Sequence, residues 1–347
     1  MKIKKIMRII LIIVFVITVV YISMWLASRK RYPVEFGVSF NQNYAQFLGL
    51  EWKDAYLAML NDLRPKFIRI AAMWSEIERE TGEFDFTDVD WMMDEAAKRD
   101  VKITLVVGQK APRWPECHVP AWVNGLSADE YKMRLLNYVQ QTVKRYKDHP
   151  ALEIWQVENE PFIHFRFGEC ANFQEQATRD EIKLVKELDT SHKIMITDSG
   201  ELSFWWHATR ADSDIFGTTI YRVVRTPRGK IFTYDWLPPA FYRWKAKLLG
   251  RSMDSFFISE LQAEPWFTGS GALETSIEAQ KETMDLGRLK KNLDYVKKIG
   301  TPRVYLWGVE WWYWMRETQG DGRYWEIMKL ETRNWKLVIG NWFKNNR

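Results

Sequence analysis

The sequence predicts an α/β fold, a (β/α)8 barrel of the TIM type, preceded by an N-terminal transmembrane helix. Eight short apolar runs follow one another through residues 34–347, and segments with helical spacing separate them. The runs are continuous rather than alternating, which is typical of parallel strands that are covered on both faces. Eight strand–helix units in a chain of this length fit the barrel. A doubly wound open sheet is the alternative architecture.

The first half of the body alternates strands and helices in order. The predicted strands are 34–40, 66–73, 101–108 and 151–157. Between them, 52–63 and 87–96 carry apolar residues at helical spacing. Ser127 and Glu130 have the spacing of a capping box, which predicts the start of a further helix.

The second half repeats the same unit. The predicted strands are 193–197, 215–221, 256–260 and 303–308. Helices are expected at 175–188, 238–249 and 322–343, with a weaker helical segment at 204–210. One more helix is expected to begin at a capping box of Thr275 and Glu278 and to stop at Gly300. We find no linker that would divide 34–347 into two domains.

The N-terminus carries a membrane signal. Residues 1–8 are basic, and 9–27 contain no charged side chain over a length that can cross a bilayer as a helix. Tyr21 and Trp25 lie near the far end of that stretch, where interfacial aromatic residues belong. We therefore expect a transmembrane anchor at 9–27 and a spacer at 28–33. A cleaved signal peptide, which would leave a secreted protein, is the alternative.

The charge distribution favours a cytoplasmic N-terminus and an extracytoplasmic barrel. Lys2, Lys4, Lys5 and Arg8 precede the apolar stretch, although the basic residues at 29–31 oppose this orientation. The net charge is +5, and subtracting the seven basic residues of 1–31 leaves −2 for the body. The body thus lacks a nucleic-acid footprint. No zinc spacing, P-loop or dinucleotide fingerprint is present, so we expect no metal or cofactor. We also expect a monomer.

Two predicted strands end in carboxylates. The fourth leads into Glu158, Asn159 and Glu160, and the seventh ends at Glu260. A carboxylate at the end of a buried strand is costly, because burial disfavours its charged form. Glu158 has the same strand parity as Glu160, and Glu264 competes with Glu260 from a position beyond the apolar run.

A barrel brings such strand ends to one site, because its strands all point the same way. Two carboxylates that flank a glycosidic bond can hydrolyse it, one as proton donor and the other as nucleophile or base. Their mutual repulsion raises the pKa of one of them and keeps it protonated near neutral pH. The sequence therefore predicts glycoside hydrolysis.

The segment Asn159–Pro161, with Ser259–Glu260 at the end of the seventh strand, resembles the glycoside hydrolases of clan A. Asn-Glu-Pro is similar to the motif of the cellulase-like family 5. Residues 81–86, Thr-Gly-Glu-Phe-Asp-Phe, resemble the family 42 type. Thr219 stands where family 5 usually has a histidine, and the third strand leads to Gln109 and Lys110 rather than to another histidine. The resemblance is therefore to a divergent member of the clan.

The resemblance implies a retaining double displacement with Glu160 as acid/base and Glu260 as nucleophile. Asn159 would bind the sugar 2-hydroxyl. Arg69, near the end of the second strand, would lie under Glu260 and hold it ionised. Tyr221, at the end of the sixth strand, would donate a hydrogen bond to Glu260. A structural ion pair for Arg69 and core packing for Tyr221 are the alternatives.

Aromatic residues near the strand ends are candidates for sugar binding, since an indole face suits the face of a pyranose. The resemblance implies that Trp307, at the end of the eighth strand, is the stacking floor. Trp311 and Trp114 are further candidates among the loop tryptophans, and packing is the alternative for each. The expected partner is a carbohydrate, with a β-linked oligo- or polysaccharide as substrate.

Two other functions use the same sequence features. A catalytically silent barrel would bind carbohydrate without cleaving it, and a transglycosylase would remodel a surface polysaccharide with the same two glutamates. Cys117 and Cys170 follow the third and fourth strands and either form a disulfide or stay free.

Overall fold

The computed structural model describes residues 2–163, 168–170, 173–226, 228–267 and 271–333. The predicted barrel is confirmed: eight parallel strands close into a ring in the order β1-β8-β7-β6-β5-β4-β3-β2. The strands are Glu35–Ser39 (β1), Phe67–Ala71 (β2), Lys102–Val107 (β3), Leu152–Val157 (β4), Lys193–Asp198 (β5), Ile215–Ile220 (β6), Phe256–Gln262 (β7) and Arg303–Trp307 (β8). The open-sheet alternative is excluded.

Helices surround the ring and follow the strands. The α-helices of the body are Gln42–Phe47, Trp52–Ala58, Trp74–Ile77, Thr87–Ala97, Ala128–Tyr146, Glu175–Leu188, Ala240–Leu248, Ile277–Lys281, Leu286–Val296, Val309–Glu317 and Arg323–Arg333. The second continues as a π-helix over Met59–Leu63, and short 3-10 turns occur at Ala121–Val123, Ala208–Arg210 and Met253–Ser255. The end of the helix predicted at 322–343 lies outside the described residues.

One of the two predicted capping boxes is confirmed. The Ser127 side chain accepts from the Glu130 amide, and the Glu130 carboxylate accepts from the Ser127 amide. The box at Thr275 is wrong: Ser276 caps Ile277–Lys281, while the Thr275 hydroxyl donates to a backbone carbonyl. A second cap at Asp285 then begins Leu286–Val296, so the single predicted helix is two helices.

A small antiparallel hairpin, Val223–Arg225 with Ile231–Thr233, follows β6 and was not predicted. Each strand has three residues, too few for a period to appear in the sequence. The hairpin stands at the carboxyl ends of the barrel strands and forms part of one wall of the cleft described below.

The barrel interior is layered. An apolar layer near the amino ends of the strands consists of Phe67, Ile154, Met195, Ile215, Phe257 and Tyr305. Gly37 makes room for this layer, because a Cβ there would lie 2.3 Å from the Phe67 ring. Towards the carboxyl ends the interior becomes polar, with Arg69, Gln156, Thr197 and Ser259 buried. Polar groups therefore accumulate under the face where the strands end.

The N-terminal helix spans Lys2–Ala27. Within the described residues, 4–27 is the one helix long and apolar enough to cross a membrane, a test that a signal sequence also passes. Its apolar side chains from Ile9 to Val20 are exposed.

Candidate active site

A cleft of about 1140 Å³ opens at the carboxyl ends of the strands. Six of the predicted site residues line it: Trp114, Asn159, Glu160, Tyr221, Glu260 and Trp307. Arg69 lies beneath the cleft and is 1% exposed. The order of strands predicts this convergence, because β4, β6, β7 and β8 all end on the same face.

Arg69 on β2 is the hub of the site. Its Nε donates to Gln156 Oε1 at 2.7 Å, and its Nη2 donates to Asn159 Oδ1 at 2.8 Å. Its Nη1 donates to Glu260 Oε1 at 2.7 Å and to the Ser259 carbonyl at 3.3 Å. A guanidinium suits this position, since its fixed fork of donors can serve several oxygens at once.

Glu260 is held at both carboxylate oxygens. Arg69 binds Oε1, and the Tyr221 hydroxyl donates to Oε2 at 2.7 Å. The glutamate is 4% exposed, so these contacts replace most of its hydration. The structure thus brings Arg69 and Tyr221 to Glu260, and a paired, oriented carboxylate is the state a nucleophile requires.

Glu160 occupies a different environment. The Thr219 hydroxyl donates to its Oε1 at 2.8 Å, and its backbone N–H donates to Thr197 Oγ1 at 2.9 Å. Burial, followed by the negative charge of Glu260, raises the pKa of Glu160 to about 8. Glu160 is therefore protonated at neutral pH and able to donate a proton. Thr219, noted in the sequence as the residue in place of a histidine, is its direct partner.

Asn159 joins Arg69 to a third carboxyl group. Its Oδ1 accepts from Arg69, and its Nδ2 donates to Glu116 Oε2 at 3.2 Å. Burial raises the pKa of Glu116 to about 7, and the charge of Glu260 acts in the same direction. Glu116 was not predicted as a site residue, and its one signal in the sequence is its place in the loop after β3. A contact between Asn159 and a sugar 2-hydroxyl stays a prediction.

Glu158 points away from the cleft and holds the preceding loop. Its carboxylate accepts from the backbone N–H groups of Gln109 at 3.0 Å and Lys110 at 2.5 Å. Glu158 and Glu160 both have left-handed backbone, with φ of 59° and 45°. Strand alternation has therefore ended before either residue, which is why parity could not distinguish them.

A second buried acid, Glu181, lies behind Glu158. Burial raises the pKa of both groups, and the charge of Glu158 further disfavours ionisation of Glu181. Gly108 is required beside them: a Cβ there would lie 2.5 Å from Glu158 Cδ and 2.9 Å from Glu181 Oε2. Its φ of 114° also excludes most side chains.

The three tryptophans predicted to bind substrate have different environments. Trp307 lies at the cleft floor, but the Arg113 guanidinium stands 4.2 Å from its ring centroid and 3.7 Å from that of Tyr44. Trp114 is 65% exposed in the cleft wall. Trp311 is not brought to the cleft: it is fully buried, and its indole N–H donates to Gln280. Helix Val309–Glu317 turns Trp311 into the core, so it is removed from the substrate-binding set.

Two further contacts hold the cleft loops. Arg113 forms ion pairs with Glu264 and with Glu310, at 3.0 Å for the latter. Glu264 is thus engaged by a loop arginine rather than by Arg69. Cys117 and Cys170 form a disulfide between the loops after β3 and β4. Among the described residues, no group of three or more His, Cys, Asp or Glu side chains is arranged to hold a metal ion.

Comparison with known proteins points to one group of enzymes. The family model described as Glycosyl hydrolase family 10 matches residues 51–180. A β-galactosidase, BgaB, from Geobacillus sp. (strain Y412MC61) is 30% identical in an alignment 118 residues long that covers 28% of this chain and 17% of that protein.

Solved structures that share the fold include two sugar-related enzymes. GH5_18 from Streptomyces cattleya, in complex with GlcNAc, has a TM-score of 0.59 at 12% identity and covers 88% of this chain and 81% of its own. Xylanase 10B from Thermotoga maritima has a TM-score of 0.53 at 14% identity, with coverage of 82% and 85%. At such identities the likeness shows a common fold.

The resemblance to clan A glycoside hydrolases is confirmed. The matching family model is that of family 10, whereas the sequence motifs described above resemble families 5 and 42. The match ends after β4 and includes Asn159 and Glu160. The chain matches less than a fifth of the length of its β-galactosidase relatives, at 17% to 18%.

Proposed function

We propose that the chain is a retaining glycoside hydrolase that cleaves a β-linked glycan. Glu260 would attack the anomeric carbon and Glu160 would protonate the leaving oxygen, after which Glu160 would deprotonate the water that releases the sugar. The observation that carries the proposal is the contrast between the two carboxyls. Glu260 accepts from Arg69 and Tyr221, whereas the pKa of Glu160 is about 8.

The remaining residues have supporting roles in this proposal. Asn159, fixed by Arg69 and Glu116, would bind the sugar hydroxyl next to the anomeric carbon. Trp307 and Trp114 would contact the sugar rings. Arg113 covers part of Trp307, so the sugar would stack on the part of the indole that the guanidinium leaves open.

The choice of a β-linked substrate is supported by the relatives. The similar proteins include β-galactosidases and xylanases, and the GH5_18 structure contains GlcNAc. A panel of aryl β-galactosides, β-xylosides, β-glucosides and N-acetyl-β-glucosaminides therefore covers the sugars to test first. For the glycoside of this panel that is cleaved, NMR should show that the released sugar is first formed in the β configuration.

The decisive test removes the nucleophile and supplies another. Glu260→Gly should abolish hydrolysis, and added azide or formate should restore turnover with formation of an α-glycosyl azide or formate. Glu264→Gly is the matched control, since Glu264 lines the same cleft but binds Arg113. Full activity of Glu260→Gly without azide, or equal rescue of Glu264→Gly, would contradict the assignment.

We also propose that residues 9–27 anchor the protein as a single-pass membrane helix, with the N-terminus cytoplasmic and the barrel outside. The length, apolar composition and exposure of the helix support this role. Intact mass of the chain recovered from the membrane fraction tests it. A recovered protein that has lost residues 1–27 would favour the secreted alternative.

A further inference from the structure

The N-terminal helix leaves the barrel on the face that carries the cleft. Before β1, the Tyr32 backbone N–H donates to the Lys297 carbonyl at 2.7 Å, at the carboxyl end of Leu286–Val296 and hence near the amino ends of the strands. Four residues earlier, Ser28 Oγ accepts from the amide of Ala240, the first residue of its helix, at 2.9 Å. Helices of this barrel run antiparallel to the strands, so Ala240 lies on the cleft side.

The path continues in the same direction. The Tyr21 hydroxyl donates to the Trp236 carbonyl at 2.6 Å, and Trp236 lies between the hairpin after β6 and Ala240. The hairpin residues Val224 and Arg225 line the cleft. Read from residue 32 back to residue 21, the chain therefore runs from the amino ends of the strands to the cleft face. The exposed stretch from Ile9 to Val20 then projects beyond the barrel.

The length of the helix fixes the height of the barrel relative to a bilayer. A span of 9–27 is about 28 Å long at about 1.5 Å per residue, close to the thickness of the hydrocarbon layer. Tyr21 lies about 9 Å from the outer end of this span by the same rise. Because the Tyr21 hydroxyl contacts Trp236, the loop around Trp236 lies within about 9 Å of the outer bilayer boundary, on the side of the acyl chains.

The cleft face carries the apolar residues that such a position requires. Outside the N-terminal helix, nine of the thirteen exposed large apolar side chains of the described residues lie in connections that follow barrel strands. Six of them do not line the cleft, and the five of these that follow β5 and β6 are called the apolar rim. They are 41% to 76% exposed: Phe204, Trp206, Ile231, Phe232 and Trp236.

Basic groups accompany the apolar rim. Arg228 and Lys230 are exposed at the hairpin turn beside Ile231, and the Arg210 guanidinium stacks 3.2 Å from the Trp206 ring centroid. Aromatic and aliphatic side chains next to arginine and lysine are typical of surfaces that enter the headgroup layer. A sugar-binding role would instead place these aromatics in the cleft wall, which they do not form.

We propose that the barrel docks with its cleft face against the bilayer that holds its own N-terminal helix, with the apolar rim in the headgroup layer. The docking rests on the membrane anchor proposed above. Together with the proposed hydrolase function, it assigns the substrate to glycans tethered at the membrane surface, because the cleft opens towards the lipid. Soluble glycans would have to enter between the barrel and the headgroups.

A depth measurement tests the docking without using activity. Phe232→Cys, Phe204→Cys and the control Leu248→Cys are labelled with a fluorophore in the full chain, whose native cysteines are bonded to each other. The variants are placed in nanodiscs of phosphatidylcholine and phosphatidylglycerol. Leu248 is the matched control because it is 87% exposed at the end of Ala240–Leu248, on the side of the barrel opposite the cleft.

A nitroxide on the lipid chains should quench the labels at 232 and 204 about twofold, as expected for side chains in the interfacial layer, and should not quench the label at 248. Aqueous iodide should quench only the label at 248. Equal behaviour of the three labels would overturn the docking. Amide hydrogen exchange of the unmodified chain gives an independent reading, with slower exchange at 231–236 in nanodiscs than in detergent expected and equal exchange contradicting it.

A kinetic comparison tests the substrate class. The aryl glycoside that the hydrolase screen identifies is compared with the same glycoside on a lipid tail in the nanodisc. We expect the tethered form to be cleaved at least about tenfold faster at equal total concentration, because tethering raises its effective concentration at the cleft. Phe232→Ser should reduce this advantage, because it weakens the docking that holds the cleft at the lipid surface, while keeping the rate on the soluble form. Equal rates on the two forms would refute the substrate class, and inactivity on every glycoside would refute the hydrolase while the labelling result stands.

Discussion

Thr219→Val removes the hydroxyl group that donates a hydrogen bond to Glu160, the residue proposed as the acid. The Thr219 hydroxyl donates to Glu160 Oε1 at 2.8 Å, and threonine at this position is 2% exposed. Valine has nearly the same shape, so the substitution deletes the donor with little change in packing. Because a donor stabilises a carboxylate more than a neutral carboxyl, its loss should raise the pKa of Glu160.

The size of the change follows from the charge of the acceptor. A hydrogen bond to a charged group contributes about 1.5–3 kcal/mol and one to a neutral group about 0.5–1.5 kcal/mol. The difference of about 1–1.5 kcal/mol corresponds to a pKa increase of about one unit. Since the acid acts in its protonated form, activity that is lost as pH rises through about 8 should in the variant be lost about one unit higher.

The measurement is the pH dependence of kcat/KM on the aryl glycoside that the screen identifies. Thr218→Val is the matched control, because the Thr218 hydroxyl donates to the Asp198 carbonyl and not to Glu160. Its basic limb should stay where it is in the parent protein. An unchanged or lowered basic limb in Thr219→Val would show that Glu160 is not the titrating acid, or that the hydroxyl does not donate to it.

Three further substitutions test the frame of the site. Arg69→Met should lower the free energy of unfolding, measured by chemical denaturation, by about 3–5 kcal/mol, because Glu260 loses its buried counter-charge. The double variant Arg69→Met with Glu260→Leu should regain part of that loss. No recovery in the double variant would argue against a stabilising ion pair between the two residues. Tyr221→Phe should reduce kcat/KM about 10- to 100-fold, since it deletes a donor to a charged carboxylate, and an unchanged value would remove Tyr221 from the site. Left-handed strain alone costs about 1–3 kcal/mol, and Gly108→Ala should destabilise the fold by more than this because its Cβ would also meet Glu158 and Glu181. Gly82→Ala is the control, since its Cβ position has open space and only the strain should appear. Equal losses of stability in the two variants would mean that the buried carboxyl groups move aside.

The barrel could be predicted from the sequence because continuous apolar runs indicate buried strands directly. The eight strands were predicted with boundaries within a few residues of those observed. The fold then supplied the convergence of Arg69, Tyr221 and Glu260, since each stands at or near a strand end. The family resemblance had assigned these three side chains to one site, and the structure brings them into contact.

The features that were missed depend on loops, where the chain has no period. Glu116 reaches Asn159 because the loop after β3 folds back over the site. Trp311 was misjudged because the direction of the helix after β8 decides whether that indole faces the cleft or the core. The contact between the Arg113 guanidinium and the Trp307 ring could not be predicted either, because the two residues are 194 positions apart in the sequence.

The Arg69 hub also has a consequence for how the protein folds. The buried guanidinium takes partners 87 and 191 residues away along the chain, on β4 and β7. A charge this deeply buried is tolerated when its partners are present and strongly unfavourable when they are absent. Half-formed barrels that contain β2 without β7 would therefore keep this end open to water. The site is expected to form late and all at once, which makes closure of the ring and assembly of the chemistry a single cooperative step.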